Sequence, residues 1–207
     1  MRALENVNCS AMSLTSPAVP NHRAQEVLDF WFGIGADYGK RHKRWFEKDA
    51  AFDAEITARF FHLYEALTRS PAWLDQPRSC LARIVVLDQF PRQMFRGKPR
   101  AFVSDALALE AARVTVERGY ERGLLPVERM FVYLPFEHSE AVGDQERACE
   151  LLAPLAAFPE TNDVLRYAIA HRDIIRRFGR FPHRNAILGR TSTPEELEFL
   201  KQPGSSF

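Results

Sequence analysis

Apolar residues recur along this chain at three- and four-residue steps, the period of helices buried on one face. Asn21 stands as an N-cap before Val27, Phe30, Trp31 and Ile34, which share one side, and Gly33, Gly35 and Gly39 then break the pattern. A second helix is predicted from about Asp49 to Thr68, where Phe52, Ile56, Phe60, Leu63 and Leu67 fall on one stripe. Residues Ser79 to Phe90 predict a short apolar helix ending at Pro91, with Leu81, Ile84, Val85 and Asp88 on its stripe. Phe102 to Arg118 reads as an Ala-rich helix closed by Gly119, and Pro126 opens another toward Leu134. Pro135 should kink or end that helix. Further helices are predicted over about Val142 to Leu155 and Asp163 to Phe178, the latter stopped by Gly179. The capping box Thr193-Pro194-Glu195-Glu196 starts a last one. No strand alternation survives, so the expected fold is all-α, a helical bundle or α-α superhelix. It should form one domain over residues 21–207 behind a disordered Ser/Pro-containing leader over residues 1–20.

Composition narrows the function classes. The chain has 207 residues, 46% hydrophobic, with 16 phenylalanines, enough for a core that needs no disulfide or structural metal. Its 28 basic and 27 acidic residues lack the basic excess of a dedicated nucleic-acid binder. No run of about 18 apolar residues marks a membrane span. The three cysteines, Cys9, Cys80 and Cys149, form no CxxC pair, which fits a reducing, cytoplasmic setting.

Charge is unevenly placed within that balance. From His171 to Arg190 there are six arginines and two histidines against one acid, Asp173. From Glu137 to Glu150 there are five acids, Glu137, Glu140, Asp144, Glu146 and Glu150. If the segment after Pro135 stays helical, Glu137, Glu140 and Asp144 form one carboxylate stripe. Three polar residues also stand where helical spacing expects apolar ones: Asp88, His138 and His171. Burying such groups without partners costs a few kcal/mol each, so they should face a common interior with Glu137, Glu140, Arg172 and His183 beside them.

Two outcomes stay open for this set. In one it is an internal network, with Glu137 and Glu140 paired to Arg172, Arg177 or Arg184. In the other some arginines face an anionic small molecule or a peptide carboxylate, since guanidinium forks match carboxylates and phosphates. The candidate ligand contacts are Asp88, Arg92, Arg172, Arg180, His183, Arg184, Asn185 and Arg190. An enzyme would use His138 or His171 as general base, oriented by Glu137 or Glu140. His138, Glu140, His171 and His183 match no metal motif, so neither metal nor cofactor is expected. No GxSxG context surrounds Ser139, and no Gly-rich phosphate loop is present. A purely structural or adaptor role is the third possibility.

Several motifs resemble those of the bacterial family known as domain of unknown function 924. They are Leu87-Asp88-Gln89-Phe90-Pro91-Arg92, Tyr133-Leu134-Pro135-Phe136-Glu137-His138-Ser139-Glu140, and Phe178-Gly179-Arg180-Phe181-Pro182-His183-Arg184-Asn185 with Leu188-Gly189-Arg190. Asp144-Gln145 and His171-Arg172 also fit, and the likeness runs from about Val27 to Phe199. Gln93 stands where the family pattern has asparagine. The resemblance implies an all-helical fold of the tetratricopeptide-like superfamily and no established activity.

Overall fold

A computed structural model describes residues 19–206. Helices make up its regular structure, and the described residues contain no strand. The leader expected over residues 1–20 lies, apart from its last two residues, outside the described part. Val19, one of those two, accepts a hydrogen bond from the indole of Trp73 at 3.1 Å.

Helix α1 spans His22–Phe32 and buries Val27, Phe30 and Trp31. Asn21 occupies the N-cap position, but its side chain makes no cap bond. Ile34, expected on the same face, is 71% exposed. The helix stops one residue earlier, at Gly33, whose φ of 86° turns the chain away. Helix α2 spans Ala50–Thr68, and the Asp49 carboxylate accepts from the backbone N–H groups of Ala51 and Phe52. All five of its predicted apolar positions are buried. The phenylalanine and tryptophan rings of α1, α2 and their neighbours stack into one core. Trp45 meets Phe131 at 4.8 Å between centroids, and Phe60 meets Phe90 at 4.9 Å.

The segment expected to end at Pro91 instead runs on. Helix α3 (Pro77–Ile84) passes through a π-helical turn over Val85–Gln89 into α4 (Phe90–Met94). Pro91 has no N–H for the carbonyl of Leu87 four residues back, and its ring would strike that carbonyl in a regular helix. The wide turn makes room, and the buried hydroxyl of Ser104 donates to Leu87 O at 2.6 Å.

Helix α5 spans Asp105–Glu117, later than expected because Pro99–Phe102 forms a separate 3-10 turn. Helix α6 spans Pro126–His138 and continues three residues beyond Pro135, where a kink or an end was expected. Helix α7 (Val142–Leu152) ends before Pro154, in a 3-10 turn over Ala153–Ala157. Helix α8 (Val164–Phe178) is closed by Gly179 at φ 69°, and α9 (Pro194–Phe199) carries the expected capping box. Consecutive helices α5, α6, α7 and α8 pack as neighbours, and α3 lies against α1, α5 and α6. The C-terminal end of α6 is thereby enclosed by the π turn, α7, α8 and the segment after Gly179.

Candidate functional site

The π turn delivers the first side chain of the site. Asp88, 0% exposed, sits on it and accepts from His138 Nδ1 at 2.7 Å and from Gln89 Nε2 at 2.6 Å. Arg92 lies 3.6 Å from the same carboxylate. Burial alone would raise this carboxyl, but His138 and Arg92 outweigh it and hold it at about 2. Asp88 is therefore an anion, and the hydrogen between it and His138 sits on Nδ1. Burial, followed by the charge of Arg92, pushes the His138 imidazole below its ordinary value. The ring is thus neutral near pH 7, with its lone pair on Nε2. Among the described residues nothing hydrogen-bonds that Nε2, and the side chain is 15% exposed.

Arg92 places two donors on Asp105, at 2.9 and 3.3 Å, and a third bond on the carbonyl of Asp88 at 2.7 Å. Arg184 approaches the same Asp105 at 3.6 Å. It also donates to the carbonyl of His138 at 3.1 Å, at the end of α6. Both guanidinium groups lie over the ring of Phe102, at 5.8 and 4.9 Å. Arg184 is 92% buried by side chain, since only 8% is exposed, and its Nε has no hydrogen-bond partner. Burial and the like charge of Arg92 bring it down to about 10.

The interior side of α6 holds a second acid and base. Glu137 lies 3.0 Å from His171 Nδ1, which also meets the carbonyl of Tyr167 at 2.9 Å. Because a carbonyl only accepts, that nitrogen carries the hydrogen. Burial, then the charge of Asp88, pushes Glu137 up to about 8, and burial pushes His171 down to about 3. Whichever group holds it, the pair keeps one titratable proton and no net charge between those limits.

The expected carboxylate stripe does not form, because α6 stops at His138 and Ser139 is extended. The three acids separate: Glu137 goes to His171, Glu140 to Arg190, and Asp144 to Arg113. Gln145 closes the end of α6 by donating to the carbonyls of Glu137 and Ser139, both at 2.6 Å.

After Gly179 the arginine-rich segment is mostly tied to itself. Arg180 forms a two-bond fork on Glu196, and Asn185 donates to the same carboxylate. Arg190 bonds Glu140 twice, Asn185 Oδ1 and the carbonyl of Phe181. Burial opposes it, but Arg190 and the Phe181 N–H hold the Glu140 carboxyl below its ordinary value. Arg180 and the other donors hold Glu196 down to about 2.

Asp88, His138, His171, Glu137, Arg92, Arg184 and His183 therefore come together, with Glu140 and Arg190 at their edge. Arg172 does not join them: it pairs with the adjacent Asp173 at 2.8 Å on the outer side of α8. The carboxylate that orients a histidine at the exposed edge is Asp88, where Glu137 or Glu140 was expected. Sequence reasoning missed Asp105 and Glu196 as site residues, and named Gln145 only within the Asp144-Gln145 motif. Asp105 stands in the opening turn of a helix and Glu196 inside a capping box, so each reads as an ordinary terminus residue. Two cavities, of about 440 Å³ beside Arg44 and 320 Å³ beside Trp73, include no residue of this cluster. The cluster meets the surface instead as an open edge at His138, Arg92 and Asp105. Among the described residues no group of three or more His, Cys, Asp or Glu is placed to hold a metal ion. No helix there is long and apolar enough to cross a membrane.

A solved structure described as a protein of unknown function, ATU0120 from Agrobacterium tumefaciens, is similar at 42% sequence identity and a TM-score of 0.77, covering 87% of this chain and 97% of its own. No curated protein matches the chain. The family model described as "Bacterial protein of unknown function (DUF924)" matches residues 27–204. The chain, with its Asp88–His138 contact and arginine-rich loop, belongs to that bacterial family.

Proposed function

We propose that Arg92, backed by Arg184 and lying beside His138, binds a small molecule or peptide end that carries a carboxylate. The observation that carries this reading is Arg184. A buried guanidinium normally fills its donors, and this one leaves Nε without a partner while facing the like charge of Arg92. That Nε is itself shut off from solvent, so a ligand carboxylate would act through the more exposed Arg92 and offset the repulsion between the two cations. Arg180, Asn185 and Arg190, each with internal partners, form the frame that presents Arg184.

The charge balance favours a monoanion. Two guanidinium groups here face two carboxylates, Asp88 and Asp105. A dianionic phosphate would meet both carboxylates at close range, whereas a carboxylate adds one charge beside two cations. Thermal denaturation with 4-hydroxybenzoate, acetate and inorganic phosphate tests the reading, since binding to the native state raises the melting temperature. A shift with carboxylates that Arg184→Gln removes is the expected result. Absence of any shift with all three ends the proposal.

A further inference from the structure

We infer that this edge is a hydrolytic centre: His138 acts as general base on water and Asp88 is its positioning residue, the substrate being a carboxylic ester that bears a separate carboxylate. The inference rests on the binding proposal for the anionic end of that substrate.

Three observations support it. The first is the direction of the Asp88–His138 contact. A fully buried carboxylate holds Nδ1–H at 2.7 Å, which fixes the tautomer and leaves the lone pair on Nε2 of a side chain that is 15% exposed. The second is what that lone pair meets. A purely anion-binding edge has no use for an acceptor, because a carboxylate oxygen and an imine nitrogen repel each other. An acceptor beside two cations suits a water molecule or another X–H donor next to a bound anion. The third is the backing of Asp88. Gln89 and Arg92 both stabilise its anion, and the π turn that carries it is an irregularity often found at functional positions.

The chemistry balances without any further reactant. Nε2 takes a proton from water as the water oxygen bonds to the ester carbonyl carbon, giving a tetrahedral oxyanion beside the cations of the edge. Collapse of that intermediate re-forms the carbonyl and breaks the bond to the alcohol oxygen. The imidazolium returns its proton to that leaving oxygen. One ester and one water become one acid and one alcohol, and no electrons are exchanged. No side-chain nucleophile enters: the neighbouring Ser139 hydroxyl is engaged with Asp144 at 2.7 Å and with the N–H of Ala141.

The test uses 4-acetoxybenzoate, whose carboxylate is too far from its ester to assist itself, with neutral 4-nitrophenyl acetate and dianionic 4-nitrophenyl phosphate alongside. The expected result is saturable hydrolysis of 4-acetoxybenzoate, with kcat rising through an imidazole titration below the ordinary histidine value. Neutral ester should turn over less efficiently, through a higher KM. His138→Gln should lower kcat by about 100-fold or more, the range for loss of a general base, while 4-hydroxybenzoate still shifts the melting temperature. Asp88→Asn should lower kcat and displace the pH–rate profile with little change in KM. Should that variant fail to fold, His138→Gln alone decides. Carboxylate binding without hydrolysis, or equal rates for wild type and His138→Gln, overturns the catalytic inference and leaves the binding proposal standing. Hydrolysis of the phosphate ester alone overturns the substrate class. No carboxylate-induced shift and no hydrolysis removes both.

Discussion

The hydroxyl of Ser104 donates to the carbonyl of Leu87 at 2.6 Å, supplying the donor that Pro91 lacks one helical turn later. Through this bond the start of α5 holds open the wide turn on which Asp88 sits. Ser104→Ala leaves that buried carbonyl without its hydroxyl partner and should cost about 1–3 kcal/mol. Urea denaturation would show a lower midpoint at unchanged slope. A midpoint equal to wild type would mean that the turn stands without Ser104.

The pH dependence of stability follows from the buried pair. Unfolded, Glu137 and His171 titrate near 4.5 and 6.5; folded, they hold one proton from about 3 to about 8. Above pH 6.5 the folded pair keeps a proton that the unfolded chain has lost, so stability falls as pH rises toward 8. The window of about 1.5 pH units corresponds to about 2 kcal/mol. Between pH 6.5 and 4.5 the pair binds one proton in either state, but the depressed His138 and His183 bind fewer protons folded than unfolded, so stability falls as pH falls. Stability should therefore peak near pH 6.5. Glu137→Gln, which cannot ionise, should flatten the alkaline arm and keep the acidic one. Denaturation midpoints at pH 5 to 8.5 check this, and an alkaline arm that survives in the variant would reassign it.

Glu140 and Arg190 should be coupled. Their two bonds, at 2.7 and 3.0 Å, lie where each side chain is 29% and 24% exposed. A double-mutant cycle should return a coupling on the order of 1–3 kcal/mol, as for hydrogen bonds between charged groups. The same cycle between Glu140 and Arg172 should return zero. Coupling to Arg172 instead would contradict the arrangement of the loop.

Glu196 should control the order of the segment after Gly179, because Arg180, Asn185 and the N–H of Thr193 all converge on its carboxylate. Glu196→Gln should speed amide exchange over residues 180–192 and leave α2 and α6 protected. Uniform change across the whole chain would show that the segment does not open separately.

The helices were legible because burial writes its period directly into positions such as Phe52, Ile56 and Phe60. Convergence of Asp88, His138 and His171 was legible for the same reason, as polar residues on apolar stripes. The helix end expected at Pro91 was misjudged, and of the kink or end expected at Pro135 the end does not occur. A proline removes a local bond, but whether the helix ends depends on distant partners, and Ser104 lies 13 residues beyond Pro91. Partner choice among charges was the least readable part. Arg190 and not Arg172 reaches Glu140, because a loop folded back by its own Asn185 and Glu196 bonds decides it.

The loop's attachment to α6 has a consequence for how the protein is made. His138 leaves the ribosome more than forty residues ahead of Arg184, and the carbonyl that Arg184 caps must wait for it. The aromatic core of α1 to α6 can collapse during synthesis with that edge still bare. In that order of events, the cap on α6 is the last contact the newborn chain acquires, and a ribosome stalled before residue 184 would hold a packed scaffold with that helix end still open.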